Sequence, residues 1–138
     1  SGFKIARVLR SGFILSVRSE KNLIGVHRDL QRVVRRAIKI TDLDFVVTEG
    51  VRTMSRQQEL LRAGATRTLK SRHLTGHAVD LAAVIGTSVR WDWPLYTRLN
   101  DVMQEAAKEW EVRVEWGGHW KSFKDGPHFQ LSWREYPA

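Results

Sequence analysis

Between His27 and Ile40, apolar side chains fall at Leu30, Val33, Val34, Ala37 and Ile38, while Arg28, Arg32, Arg35, Arg36 and Lys39 cover much of the rest. Apolar positions recurring at i, i+3, i+4, i+7 and i+8 line one stripe of a 3.6-residue period, which predicts an amphipathic helix with a basic outer face. A second long helix is predicted to start at Asp92-Trp93-Pro94, where a proline in the first turn lacks only an N–H that has no helical partner. Its apolar stripe is Leu95, Leu99, Val102, Met103, Ala106 and Trp110. Ser55-x-x-Gln58 reads as a capping box opening a shorter helix that stops at Gly64. Ser19 to Leu23 reads as a single turn capped by Ser19.

Elsewhere the period drops to two. Asp44 to Thr48 is β-branched and aromatic, and Val112 to Trp116 alternates with Arg113 and Glu115 on its polar face. His77 to Ala83 reads as a strand entered through Gly76, with Asp80 sharing a face with the small Ala78 and Ala82, and His77 on the other face with Val79 and Leu81. Beyond Pro127, which favours an extended chain, Phe129, Leu131 and Trp133 share an apolar face and His128 and Gln130 the opposite one. The expected fold class is α+β: a small, mainly antiparallel sheet packed against the two long helices. Trp110 and Trp133 are expected in the core.

Composition narrows the classes. A chain of 138 residues suits one domain, and 42% hydrophobic with 28% charged residues describes an ordinary globular chain. With no cysteine, a metal could be held only through nitrogen and oxygen. The net charge of +8 favours an anionic partner, and no apolar run approaches the roughly 20 residues of a membrane span. Lys4, Arg7 and Arg10 precede Gly12-Phe13-Ile14-Leu15, an apolar run shorter than the core of a secretory signal of about 7–15 residues. A product without its own export signal is expected. Because Ser1-Gly2-Phe3 recurs as Ser11-Gly12-Phe13, residues 1–18 read as an N-terminal extension, partly of artificial origin, and 19–138 as a single domain.

The densest chemistry lies in Ser71-Arg72-His73-Leu74-Thr75-Gly76-His77-Ala78-Val79-Asp80. Two imidazoles and a carboxylate within ten residues suit zinc, whose catalytic sites take three protein ligands and keep one position open. On the strand reading His73 and Asp80 converge and His77 is a hydrogen-bonded structural histidine. The rival reading places His73 and His77 at i, i+4 of a helix, against which Gly76 counts.

Ser71-x-His73-x-x-Gly76-x-Ala78-x-Asp80 resembles the signature of the zinc peptidases that include D-alanyl-D-alanine carboxypeptidases, D-Ala-D-Ala dipeptidases and phage L-alanyl-D-glutamate endolysins. Gly50-x-Arg52 before it and Asp125-x-x-His128 after it occur in that family's order. The resemblance implies one Zn2+ held by His73, Asp80 and His128 of the sheet, with Asp125 as general base and Glu115 as the competing candidate. It also implies that Arg52 reaches the site, where a guanidinium can stabilise charge on the attacked carbonyl. Ser71 is expected to orient the ligand loop, and Trp116 and Trp120 to wall the cleft. His119 stands where relatives often carry aspartate in Gly-Gly-Asp-Trp, and it reads as a substrate contact, a spare ligand or, first among these, an exposed loop histidine.

The implied function is that of a phage-type endolysin hydrolysing the L-alanyl-D-glutamate bond of peptidoglycan stem peptides. It would act as a monomer from the host cytoplasm on the cell wall, with its basic surface holding that anionic polymer. A D-alanyl-D-alanine carboxypeptidase is the alternative within the family. A non-catalytic zinc-binding module is another, since the Hedgehog signalling domain resembles the same fold, although Asp125 argues against it. Specific nucleic-acid binding would rest on charge alone.

Overall fold

The two long helices form where the periodicity places them. In the computed structural model, which describes residues 12–137, α2 spans Arg28–Ile40 and α4 spans Trp93–Glu109. Every apolar position of the first pattern is buried, and Ile40 joins them. A short α1 (Val17–Leu23) precedes them and α3 (Met54–Arg62) lies between. The strands are β1 (Phe45–Glu49), β2 (Ala78–Ile85), β3 (Ser88–Arg90), β4 (Val114–Trp116) and β5 (His128–Leu131). All pairings are antiparallel in the order β1-β2-β5-β4, with β3 folded back on β2 through a turn at Gly86.

The pleat divides the sheet by function. Phe45, Val47, Val79, Leu81, Ala83, Val114, Trp116, Phe129 and Leu131 enter one continuous core with the buried stripes of α2 and α4. Burying the valine, leucine and phenylalanine side chains among them contributes about 1.5–3 kcal/mol each. The other face carries Glu49 opposite Asp80, Asp80 opposite His128, and Glu115 opposite Gln130. Directly opposed residues of an antiparallel pair share a face, so the register gathers these polar groups on the side away from α2 and α4.

Several local expectations are corrected. Ser16, not Ser19, caps α1; Ser19 is buried and its hydroxyl accepts a 2.9 Å hydrogen bond from the Val47 N–H, tying α1 to β1. Thr53 rather than Ser55 caps α3, accepting from the Arg56 N–H. Phe13 and Leu15 pack against the core, so the folded body includes part of the segment expected to be an extension. The repeated Ser1-Gly2-Phe3 lies outside the described residues.

Trp110 and Trp133 are half exposed. α4 ends before Trp110, whose ring lies 5.1 Å from the Arg32 guanidinium. β5 ends at Leu131, so Trp133 leaves the strand alternation and covers the Arg72 guanidinium at 3.9 Å. Cation–π contact engages one face of each ring and leaves the other outside the core.

Candidate metal centre and its cleft

His73 is delivered by a 3-10 turn over Arg72–Thr75 rather than by a strand or a long helix. Ser71 caps this turn, its Oγ accepting from the His73 N–H at 3.1 Å. Gly76 closes it with φ +77°, and a Cβ there would lie 2.6 Å from the Gly25 carbonyl oxygen, so both backbone conformation and space demand glycine. The turn is anchored to the end of β1 by the Arg52 N–H, which donates to the His73 carbonyl at 3.0 Å.

His73, Asp80 and His128 present ligand atoms that all lie within 4.8 Å of one another. Asp80 Oδ1 is 3.1 Å from His73 Nε2 and 3.5 Å from His128 Nδ1. The outer ring nitrogens are both engaged. His73 Nδ1 donates to the Gly50 carbonyl at 2.8 Å, and a carbonyl can only accept, so Nε2 offers its lone pair inward. On the other side, Gln130 Nε2 donates to Glu115 at 3.1 Å, which turns Gln130 Oε1 toward His128 Nε2 at 2.8 Å. His128 therefore directs Nδ1 inward.

The electrostatics agree with a cation position. Burial alone would raise the Asp80 carboxyl, but hydrogen bonds and charge from His128 and His73 hold it far below the ordinary carboxylate range. Burial would likewise depress His128, yet Asp80 foremost, then Gln130 and Asp125, raise it above the usual histidine value. Two imidazole nitrogens and an ionised carboxylate oxygen, with both rings oriented from behind, fit one metal ion.

Asp125 stands beside this trio. Its N–H donates to the Gly117 carbonyl at 3.0 Å, and its own carbonyl accepts from the His128 N–H at 3.2 Å. Gly117 permits the approach, since a Cβ there would come within 2.4 Å of the Asp125 carbonyl oxygen. Burial first, then the charge of Asp80, raises the Asp125 carboxyl above its ordinary value against the pull of His128, His73 and Arg52.

Arg52 reaches the site from a fixed position. It pairs with Glu49, but it is only 8% exposed and also lies 3.7 Å from Asp80 Oδ2. Its Nη1 donates to Gln57 Oε1 at 2.7 Å.

A cleft of about 650 Å³ opens over the trio, lined among others by Arg52, Ser71, Glu115, Trp120, Asp125 and Gln130. Trp120 walls it, its ring centroid 5.0 Å from that of His128. Trp116 does not line it: the side chain is 6% exposed, belongs to the core and donates from Nε1 to the Gly126 carbonyl at 2.7 Å. His119 is exposed outside the cleft, edge-on to Trp116. His77 also stays away, bonded to Thr75 Oγ1 at 2.7 Å.

Three contributors carried little sequence signal. The Gly50 carbonyl is a backbone group, and Gln57 is buried on an otherwise exposed helix. Gln130 was legible only as a residue sharing the His128 face.

The profile of the family described as "Phage L-alanyl-D-glutamate peptidase" matches residues 11–131. The L-alanyl-D-glutamate peptidase of Escherichia phage T5 is 31% identical over 111 residues, covering 78% of this chain and 81% of that protein. The L-alanyl-D-glutamate peptidase of Listeria phage A118 is 34% identical over 94 residues, 68% of this chain, and the match spans only 32% of the Listeria phage protein. Among solved structures, the Serratia marcescens L-Ala D-Glu endopeptidase ChiX superposes with a TM-score of 0.86 at 52% identity, covering 92% of this chain and 96% of ChiX.

Proposed function

The chain belongs to the phage L-alanyl-D-glutamate peptidase family, and from that premise we propose that it hydrolyses the L-alanyl-D-glutamate bond of peptidoglycan stem peptides as a one-zinc peptidase. The observation that carries the proposal is the convergence of His73, Asp80 and His128 within 4.8 Å at the base of a cleft that also holds Asp125. Zinc, when bound, supplies a Lewis acid that polarises a carbonyl and brings the pKa of water to about 7.

The remaining work falls to this chain's own residues. Asp125 accepts the proton of the attacking water and delivers it to the departing amine of the glutamate. Burial raises its carboxyl above the ordinary carboxylate value, the direction that favours a group required both to take up and to release a proton. Arg52, fixed by Glu49 and Gln57, holds a positive charge where negative charge develops on the attacked oxygen. Glu115 works through Gln130 on the orientation of His128, which makes it a supporting group rather than the base.

Digestion of purified peptidoglycan tests the reading. New L-alanine C-termini on the glycan strands and new D-glutamate N-termini on the released peptides are expected by mass analysis. Release of free D-alanine alone would replace it with a carboxypeptidase.

A further inference from the structure

Four cationic side chains line the cleft: Arg52, Arg56, Lys70 and Arg72. Three are engaged. Arg52 faces Glu49 and Asp80, and Arg56 pairs with Glu59 at 3.3 Å. Arg72 has no ion pair among the described residues and leaves Nε and Nη1 buried without a hydrogen-bond partner, but it lies beneath Trp133 and donates from Nη2 to the carbonyls of Leu131 and Tyr136 at 2.9 and 2.8 Å, so it clamps the C-terminal segment. Lys70 is different: among the described residues it is the cationic cleft side chain that is both exposed and without an ion pair.

The wall that bears Lys70 is not a loose loop edge. Gln57, fully buried, donates from Nε2 to the Thr68 carbonyl at 2.6 Å while its Oε1 accepts from Arg52 at 2.7 Å. The Lys70 N–H donates to Thr68 Oγ1 at 2.8 Å, and the next residue, Ser71, caps the turn that delivers His73. One amide side chain thus ties this wall to an arginine of the site. Glu115 and Asp125 also line the cleft, and they would repel an anionic substrate group that the Lys70 ammonium attracts.

A glutamate residue inside a peptide keeps one carboxyl free, whichever of its two is joined to the chain. We infer that Lys70 reads the free carboxylate of the glutamate next to the scissile bond, and so makes the cleft selective for an ionised rather than an amidated residue at that position. The inference rests on the proposed hydrolysis and adds to it a chemical criterion for which stem peptides are accepted.

The test uses two synthetic stem peptides that differ only in this group, one with the free carboxylate and one with the carboxamide. Each is given to the metal-loaded wild type and to Lys70→Met and Lys70→Arg, with metal content measured throughout. The wild type is expected to favour the carboxylate peptide in kcat/KM by roughly tenfold, as for a charge pair in a partly closed site. Lys70→Met should bring that ratio near one at unchanged metal content, and Lys70→Arg should restore most of it. A wild-type ratio near one, or a Lys70→Met variant that keeps the wild-type ratio, overturns the inference while leaving the peptidase reading in place. Failure of the wild type to cut either peptide removes both.

Discussion

The Gly50 carbonyl accepts a 2.8 Å hydrogen bond from Nδ1 of His73, so a backbone group at the end of β1 decides which nitrogen of that imidazole faces the candidate metal site. Gly50 can occupy this place only because it has no side chain. A Cβ there would lie 1.8 Å from the Asn22 carbonyl oxygen and 2.9 Å from Val26 Cγ2, and the former belongs to backbone that cannot swing aside.

Gly50→Ala is therefore expected to displace β1 from α1 and carry the carbonyl away from His73. Metal affinity should fall by about 10- to 100-fold, the usual cost of losing a partner behind a ligand. Leu30→Ala, deep in the core away from the cleft, is the control. It should cost about 2–5 kcal/mol of stability while leaving metal affinity unchanged. Equal metal affinity in both variants, measured with a competing chelator, would contradict the orienting role.

Removing the metal should abolish hydrolysis, and adding one equivalent of zinc should restore it. Zinc should also raise the thermal midpoint, since a ligand at 100 times its Kd stabilises the fold by about 2.7 kcal/mol. Full activity in excess chelator, with metal shown to be absent by elemental analysis, would end the metallopeptidase reading.

Asp125→Ala should keep one metal per chain and lower kcat by about 10²- to 10⁴-fold, because it removes a proton carrier and no ligand. Glu115→Ala is expected to act more mildly and through metal binding, by freeing Gln130 and so His128. A dead Glu115→Ala beside an active Asp125→Ala would reverse the two roles.

Zinc binding should also depend on pH in a defined direction. His128 is raised above its ordinary value of 6.5, and it can offer Nδ1 to a metal only when unprotonated. Below the raised value each bound ion must displace at least this proton, so Kd should rise by about tenfold or more per pH unit as pH falls. Above that value the affinity should level off. Titrations from about pH 5 to about pH 8 check this, and a flat affinity through that range would argue against His128 as a ligand.

Much of this protein was legible along the chain because its cause is local. The 3.6-residue stripe from Leu30 to Ile38 makes α2 amphipathic wherever it lies, and the period of two through Ala78, Asp80 and Ala82 puts Asp80 on the face opposite Val79 and Leu81. The spacing around His73 and Asp80, with Asp125 and His128 downstream, marked the candidate site without any knowledge of distance. What stayed hidden depended on partners remote in sequence. Trp110 and Trp133 are as apolar as Trp116, yet only Trp116 meets the core, because α4 and β5 stop just short of the other two. The tertiary structure alone sets the register that places His128 opposite Asp80, lets the Gly50 carbonyl reach His73, and buries Gln57 between Arg52 and Thr68. Sequence periodicity assigns a side chain to a face, but hydrogen bonds between separated segments choose its neighbour across that face, and here those neighbours orient the imidazoles.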